Sequence, residues 1–401
     1  MLERSPTASS DTDASGASPS GPAPPSPPAP SKHLIRVQTQ FSAGFGDWLI
    51  RHRVGLVCST YQTGHLLFIG VRADGTPVPS AAGFLQAMGI AASTQRLHVG
   101  TKNEVWRLDN FLRPDELENG LFDRLFVPRA AQVTGDIHIH ELAVEACGRV
   151  VFANTRFSCL ATFSESQAFK PLWKPRFVSR LAPEDRCHLN GLALEDGRVR
   201  YVTACATSDS VEGWRGGRRD RGVLVDIETD AIVAEGLSMP HSPRVVGAAI
   251  YFVESGRGAL VRLDRASGRR EDVAFCPGFA RGLAFAGRYA VLTISLPRSA
   301  AFDALAVAAE LRARGAVPWR GLLIVDLRTG DIVEWLRLEG DVTELFDVAV
   351  MENVRCPRGI GPGAVEMGEV VRGEEMGDAA FERGRIRDIL QSSSTLTVSV
   401  N

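Results

Sequence analysis

The chain has 401 residues, 44% hydrophobic and 23% charged, with a formal net charge of −2. That is the balance of an ordinary globular protein, and it gives no electrostatic case for nucleic acid or an anionic membrane as partner. No run of eighteen apolar residues marks a membrane helix, and the start MLERSPTASSDTDASG lacks the apolar core of a secretory signal. Seven cysteines stand singly with no CxxC pair, so a reducing, cytoplasmic setting is expected rather than a disulfide framework or zinc knuckle.

Residues 1–34 are Ser, Pro, Ala, Gly and Asp, ending in GPAPPSPPAPSK. They carry too little apolar surface to offset ordering entropy, and a disordered tail with polyproline-II character is expected. From Ile35 the pattern changes. Phe45-Gly46-Asp47-Trp48-Leu49-Ile50 reads as a short helix, followed by VGLVCSTY and HLLFIGV as a hairpin of two buried strands. A phrase then recurs about every fifty residues: a turn rich in His, Pro or Gly, an apolar strand, a polar turn and a second apolar strand. Its copies begin at Ala87, His140, His188, His241, Arg281 and Phe346. Strand-filled repeats of this length are the signature of a β-propeller, one blade per repeat. The expected fold is therefore all-β, a single propeller of six or seven blades over residues 35–363.

D-x-x-S-G at 264–268 and D-x-x-T-G at 326–330 should close hairpins between the third and fourth strands of their blades, with Asx chemistry at the start and Gly at positive φ at the end. Two insertions interrupt the repeat. Residues 298–318 have helix-favouring composition and i, i+3/i+4 apolar spacing, so a helix is expected between inner and outer strands of the sixth blade. Ser208–Arg221, rich in Gly and Arg, sits in the corresponding place of the fourth. Residues 364–401 read as a C-terminal extension whose STLTVSV (394–400) could close the ring as a last strand or fray as a tail.

STYQTGHLLFIG, TKNEVWRL, GDIHIHELA, HLNGLAL, MPHSPR, FCPGFARGLAF, SLPRS and VRCPRGIGP together resemble the DUF4915 family of bacterial proteins, over roughly residues 40–363. The resemblance implies no activity and no catalytic residues. By architecture alone the pattern is also similar to propellers of the gluconolactonase and NHL types, a likeness of fold rather than of function.

In a propeller the first strand of each blade lines the central channel, so residues entering those strands converge although they lie far apart in sequence. His140, His188 and His241 occupy that entry, Arg281 and Asp347 occupy it in later blades, and Glu141 and Asn190 adjoin. Three neutral imidazoles there could ligate Zn, Fe or Mn, with Glu141, Asn190, Arg281 and Asp347 as the catalytic set beside them. Alternatively the histidines simply hydrogen-bond channel water and strand ends. His138 is expected to face away from the channel, as a blade-packing residue. Tyr61, Gln62 and His65 fall between two strands of the first blade and could reach the same mouth. Lys102 and Asn103 lie in a turn, while Arg156, Arg244 and Arg298 with Arg281 could form a cationic funnel for a carboxylate or phosphate. No GxGxxG, Walker loop, HExxH or GxSxG occurs.

Two functions fit. One is an enzyme, metal-dependent or not, acting on a small anionic or peptide-borne substrate. The other is a binding module whose mouth recognises a peptide or sugar and whose loops recruit a partner enzyme. Neither nucleic acid nor membrane is expected as partner, and oligomeric state is not encoded in these patterns.

Overall fold

The computed structural model of the chain describes residues 35–297 and 302–373. They form six sheets arranged as the blades of a propeller. Blade 1 runs from inner to outer strand as Val348–Glu352, Val54–Thr60, His65–Val71 and Pro77–Gly83. Blade 2 is Ile90–Ala92, Arg96–Gly100, Glu104–Asn110 and Arg124–Val133; blade 3 is Ile139–Val144, Val150–Asn154, Cys159–Thr162 and Lys170–Trp173. Blade 4 is Leu189–Glu195, Arg198–Ala204, Gly222–Asp226 and Ala231–Leu237, and blade 5 is Pro240–Val246, Ala249–Glu254, Ala259–Asp264 and Arg270–Phe275. Blade 6 is Phe279–Ala286, Tyr289–Ser295, Gly321–Asp326 and Ile332–Gly340.

The strands form where the sequence places β-branched and aliphatic residues between turn residues, and their apolar content falls outward. Val150–Asn154 and Gly321–Asp326 are buried throughout, whereas the outer strand Ala231–Leu237 is mostly exposed. Each seam between blades holds its own core. Val151 and Leu160 of blade 3 pack on Leu192, Val202 and Val223 of blade 4, and Phe252 and Val261 of blade 5 pack on Leu224 and Tyr201 of blade 4. At ~1.5–3 kcal/mol for each fully buried large side chain, these seams hold the ring together.

The ring closes by interleaving the ends of the domain. Val348–Glu352 supplies the inner strand of blade 1 to Val54–Thr60, pairing Leu56 with Val350 and Cys58 with Val348. Pro357–Gly359 then runs parallel to Arg124–Phe126 as a fifth strand of blade 2. Val37–Phe41 adds a fifth strand to blade 6 through Gly340–Leu336. Closure by 394–400 lies outside the described residues, as does the tail 1–34, and the ring is already complete without them.

Both predicted Asx hairpins form. Asp264 Oδ1 accepts from Ser267 N at 2.9 Å and Gly268 has φ +69°; Asp326 Oδ1 accepts from Arg328 N at 3.0 Å and Gly330 has φ +77°. Of the expected helices, α1 is Phe45–His52, and α2 spans only Ala306–Ala313 within the 298–318 insertion. The two insertions meet. Trp214 from the blade 4 loop shares one cluster with Phe302, Leu305, Val307 and Leu311, over Met239 and Phe279. This cluster lies beside one end of the central channel.

Candidate functional site

The inner strands fix which residues are equivalent. Ile139 pairs with Asn154, Leu189 with Ala204, Pro240 with Glu254 and Ala280 with Ile294. The residues that follow, His140, Asn190, His241 and Arg281, therefore occupy one level around the axis. His188 is not the counterpart of His140 and His241; Asn190 is. His188 belongs two residues earlier, with His138 and Met239, and all three share left-handed φ values of 54°, 53° and 49°.

Three of the axial residues are held in the same way. The side chain of the residue just after the second strand receives each of them: Thr155 Oγ1 lies 2.8 Å from His140 Nδ1, Ser255 Oγ 2.8 Å from His241 Nδ1, and Asn190 Nδ2 donates to Cys205 Sγ at 3.4 Å. His140 Nδ1 also meets His138 O at 3.1 Å, and His241 Nδ1 meets Met239 O at 2.9 Å. A carbonyl only accepts, so Nδ1 carries the proton in both rings and Nε2 is the lone-pair atom. Burial, reinforced by the neighbouring His188, lowers the His140 pKa well below its usual value, so this ring is neutral at physiological pH.

His140, His188, His241, Tyr61, Arg156, Arg281 and Phe346 line one cavity of about 520 Å³ at this mouth. His140 and His188 meet edge to face with centroids 4.7 Å apart, and Phe346 lies 5.2 Å from His140. His138 also lines this cavity, contrary to the placement within the blade expected for it. Residues two apart share a face in the period-two pattern, so His138, just before the strand, lies on the side of His140, and its ring meets Asp136 at 3.4 Å on the rim. Among the described residues no group of three or more His, Cys, Asp or Glu side chains is placed to hold a metal ion.

Arg281 is buried between Phe279 and Phe346, 5.0 and 4.9 Å from their centroids, and pairs with Glu344. Among the described residues its buried Nε–H has no hydrogen-bond acceptor. Burial lowers its pKa to about 10, which leaves it cationic at neutral pH.

Beneath this level the channel narrows, because glycine alternates with a larger residue around the axis. A Cβ on Gly89 would lie 2.6 Å from Glu141 Cα, one on Gly191 2.8 Å from Ser242 N, and one on Gly282 2.8 Å from Asp347 Cα. A water-sized void of about 10 Å³ remains, lined by Glu141, Asp347, Asn190, Arg281 and both axial histidines. Glu141 Oε2 accepts from Leu192 N at 3.0 Å and its Oε1 lies 2.5 Å from Arg244 Nη1. Asp347 accepts from Ile90 N at 2.9 Å and Val348 N at 2.8 Å. Burial pushes both carboxyls up, Glu141 to about 7 and Asp347 to about 6, since one guanidinium serves two buried acids.

The remaining candidates scatter. Arg244 opens on the opposite mouth, so it does not join Arg156 and Arg281 in a funnel. Arg298 lies outside the described residues. Gln62 accepts from Thr343 N at 3.2 Å, and His65 Nδ1 donates to Thr63 O at 2.6 Å; neither lines the histidine cavity. Lys102 N donates to Leu85 O and the Asn103 carbonyl accepts from Thr134 N, which makes their turn a structural one away from that cavity.

Two residues of this mouth escaped the repeat pattern. Asp185 Oδ2 lies 2.8 Å from His188 Nδ1 and accepts from Trp214 Nε1 at 2.9 Å, while the Trp214 ring stacks on His188 at 4.0 Å. An acidic residue three positions before a channel histidine was the available signal for Asp185; Trp214 arrives from an insertion and carried none. Replacing Asp185 with Leu is expected to shift the His188 proton toward Nε2, because the acceptor that holds it on Nδ1 is then gone. Nitrogen-15 NMR of the ring reads this directly. An unchanged tautomer would show that another group orients His188.

The fold and site together define a six-bladed β-propeller with a polar, histidine-lined axial mouth. The chain belongs to the family described as a domain of unknown function, DUF4915, whose model matches residues 43–360. No curated protein matches. Among matching solved structures, a chain from a crystal structure of a nidogen/laminin complex is 11% identical, over 75% of this chain and 99% of that chain, with a TM-score of 0.48. A likeness at that level carries no functional argument.

Proposed function

We propose that the histidine mouth is a small-molecule site that takes an anionic ligand and performs acid–base chemistry on it. The observation that carries this reading is the His188–Asp185 pair opening on the same cavity as Arg281. A histidine whose Nδ1–H is held by a carboxylate presents Nε2 as a base, and the carboxylate stabilises the imidazolium that forms when a proton is taken. Arg281 supports the anionic character of the ligand. Its unsatisfied Nε–H costs about 1–3 kcal/mol when buried, an expense a ligand oxygen would remove. Arg156 on the rim adds a second cation, and neutral His140 beside His188 offers an acceptor without adding charge.

The test is a thermal-shift screen against carboxylates and phosphorylated sugars, followed by mass spectrometry of each binder after incubation in deuterated water. Binding is expected to weaken at least tenfold in Arg281→Lys, which keeps the charge but loses the planar fork. His188→Gln is expected to bind normally and to lose exchange or turnover. Wild-type affinity in Arg281→Lys would refute the anion site. Binding without any chemistry in the wild type would leave the mouth as a recognition module, and loss of activity on metal chelation would restore a metal to it.

A further inference from the structure

The opposite mouth of the channel is a larger cavity, about 1030 Å³, and the acid–base reading of the histidine mouth makes no use of it. Its wall comes from the inner strands of all six blades and is mostly apolar: Ala91, Leu142, Leu194, Val245, Ala284 and Val350 are among its residues, with buried His98 the polar side chain beside Ala91. Arg96 and Asp109 form an ion pair at 2.6 Å among its lining residues, and Glu141 and Arg244 lie where the wall meets the constriction.

Arg244 is the informative group. Its side chain is one-quarter exposed, and the cavity is where that exposure opens. Nη1 alone makes its protein contacts, with Glu141 Oε1 at 2.5 Å, Pro243 O at 2.8 Å and Leu192 O at 3.3 Å. A guanidinium has five N–H donors, so the three on Nε and Nη2 have no acceptor among the described residues. They form the fork geometry that matches a carboxylate bidentately. An apolar tube ending in such a fork is complementary to a molecule with one carboxylate and an aliphatic body.

We infer that this mouth is a second binding site, for an aliphatic monocarboxylate whose head group meets Arg244 and whose chain lies along the apolar wall. The neighbouring acids do not forbid it. Glu141 already contacts Nη1, and burial lets Glu141 and Asp347 retain a proton between them, so Arg244 is not overcompensated when a further carboxylate arrives. The constriction at Gly89, Gly191 and Gly282 separates this site from the histidine mouth, and a ligand here cannot reach His188 directly.

Calorimetric titration of the full chain with octanoate, and with octan-1-ol as the neutral counterpart, tests the inference. Octanoate is expected to bind with one-to-one stoichiometry and at least tenfold more tightly than the alcohol. Arg244→Gln should abolish that preference. Because Arg244→Gln also disturbs Glu141, Ala91→Phe and Ala284→Phe provide an independent arm: each fills the tube and should weaken octanoate at least tenfold while the protein melts as wild type. His188→Gln should leave octanoate binding unchanged, which keeps this result separate from the fate of the histidine mouth. No binding, equal affinity for the alcohol, or full affinity in both filled variants would overturn the inference.

Discussion

A chain ending at Phe346 is expected not to fold, although it loses only the last of the inner strands. Val348–Glu352 is the innermost strand of blade 1, and without it Val54–Thr60 is left as an open edge on the channel. Val348, Met351, Val354 and Ile360 are all buried, and losing four such side chains removes about 6–12 kcal/mol of burial. That is comparable to the whole stability of a typical domain. Asp347 goes with them, and with it the acceptor for Ile90 N in blade 2. Circular dichroism should show no cooperative melt for the truncated chain. A synthetic peptide of residues 347–363 added in trans should restore one. A cooperative melt without the peptide would mean the ring does not depend on this closure.

Arg244→Met is expected to destabilise the protein by about 3–5 kcal/mol at pH 8, the range for removing one partner of a buried ion pair. The loss should shrink at pH 5, where Glu141 and Asp347 can take up protons instead. The wild type itself should show the same chemistry. Folding raises both carboxyls, Glu141 to about 7 and Asp347 to about 6, so folding favours their protonated forms. Their contribution is therefore fully present below the ordinary carboxylate range near pH 4 and is lost as pH rises through 6 and 7. For Glu141 it amounts to up to about 3 kcal/mol. Urea unfolding of wild type and Glu141→Gln at steps between pH 5 and 8 isolates it: the difference should fall as pH rises. A difference that does not change with pH would show that Arg244 keeps Glu141 ionised throughout.

Much of the architecture was legible because its signals are short-range. The Asp at 264 and 326 and the Gly at 268 and 330 specify their turns within five residues, and the apolar runs between such turns could only be buried strands. The start of most inner strands was legible too, which brought His140, His241, Arg281 and Asp347 to the axis, whereas that of blade 4 was placed two residues early, at His188. The number of blades was not, because one blade takes its inner strand from Val348–Glu352 and the rest from Val54–Gly83, three hundred residues away. A count of repeats along the chain cannot show whether the first and last fragments are one blade or two.

The finer placement of the site depended on things no repeat displays. His138 and His188 stand with left-handed backbone two residues before the axial level, and a change of two residues in register decides whether Asn190 or His188 is the partner of His140. Likewise Arg244 stands three residues further along its inner strand than Arg281 does along its own, and opens on the opposite end of the channel. Composition and periodicity determined by themselves that this is a propeller with its polar residues gathered on an axis, since burial and turn chemistry act locally along the chain. Only the packing of blade against blade decided which polar groups meet, that Asp185 and Trp214 hold His188, and that Glu141 and Asp347 face one arginine, because those contacts are set across seams between segments distant in sequence.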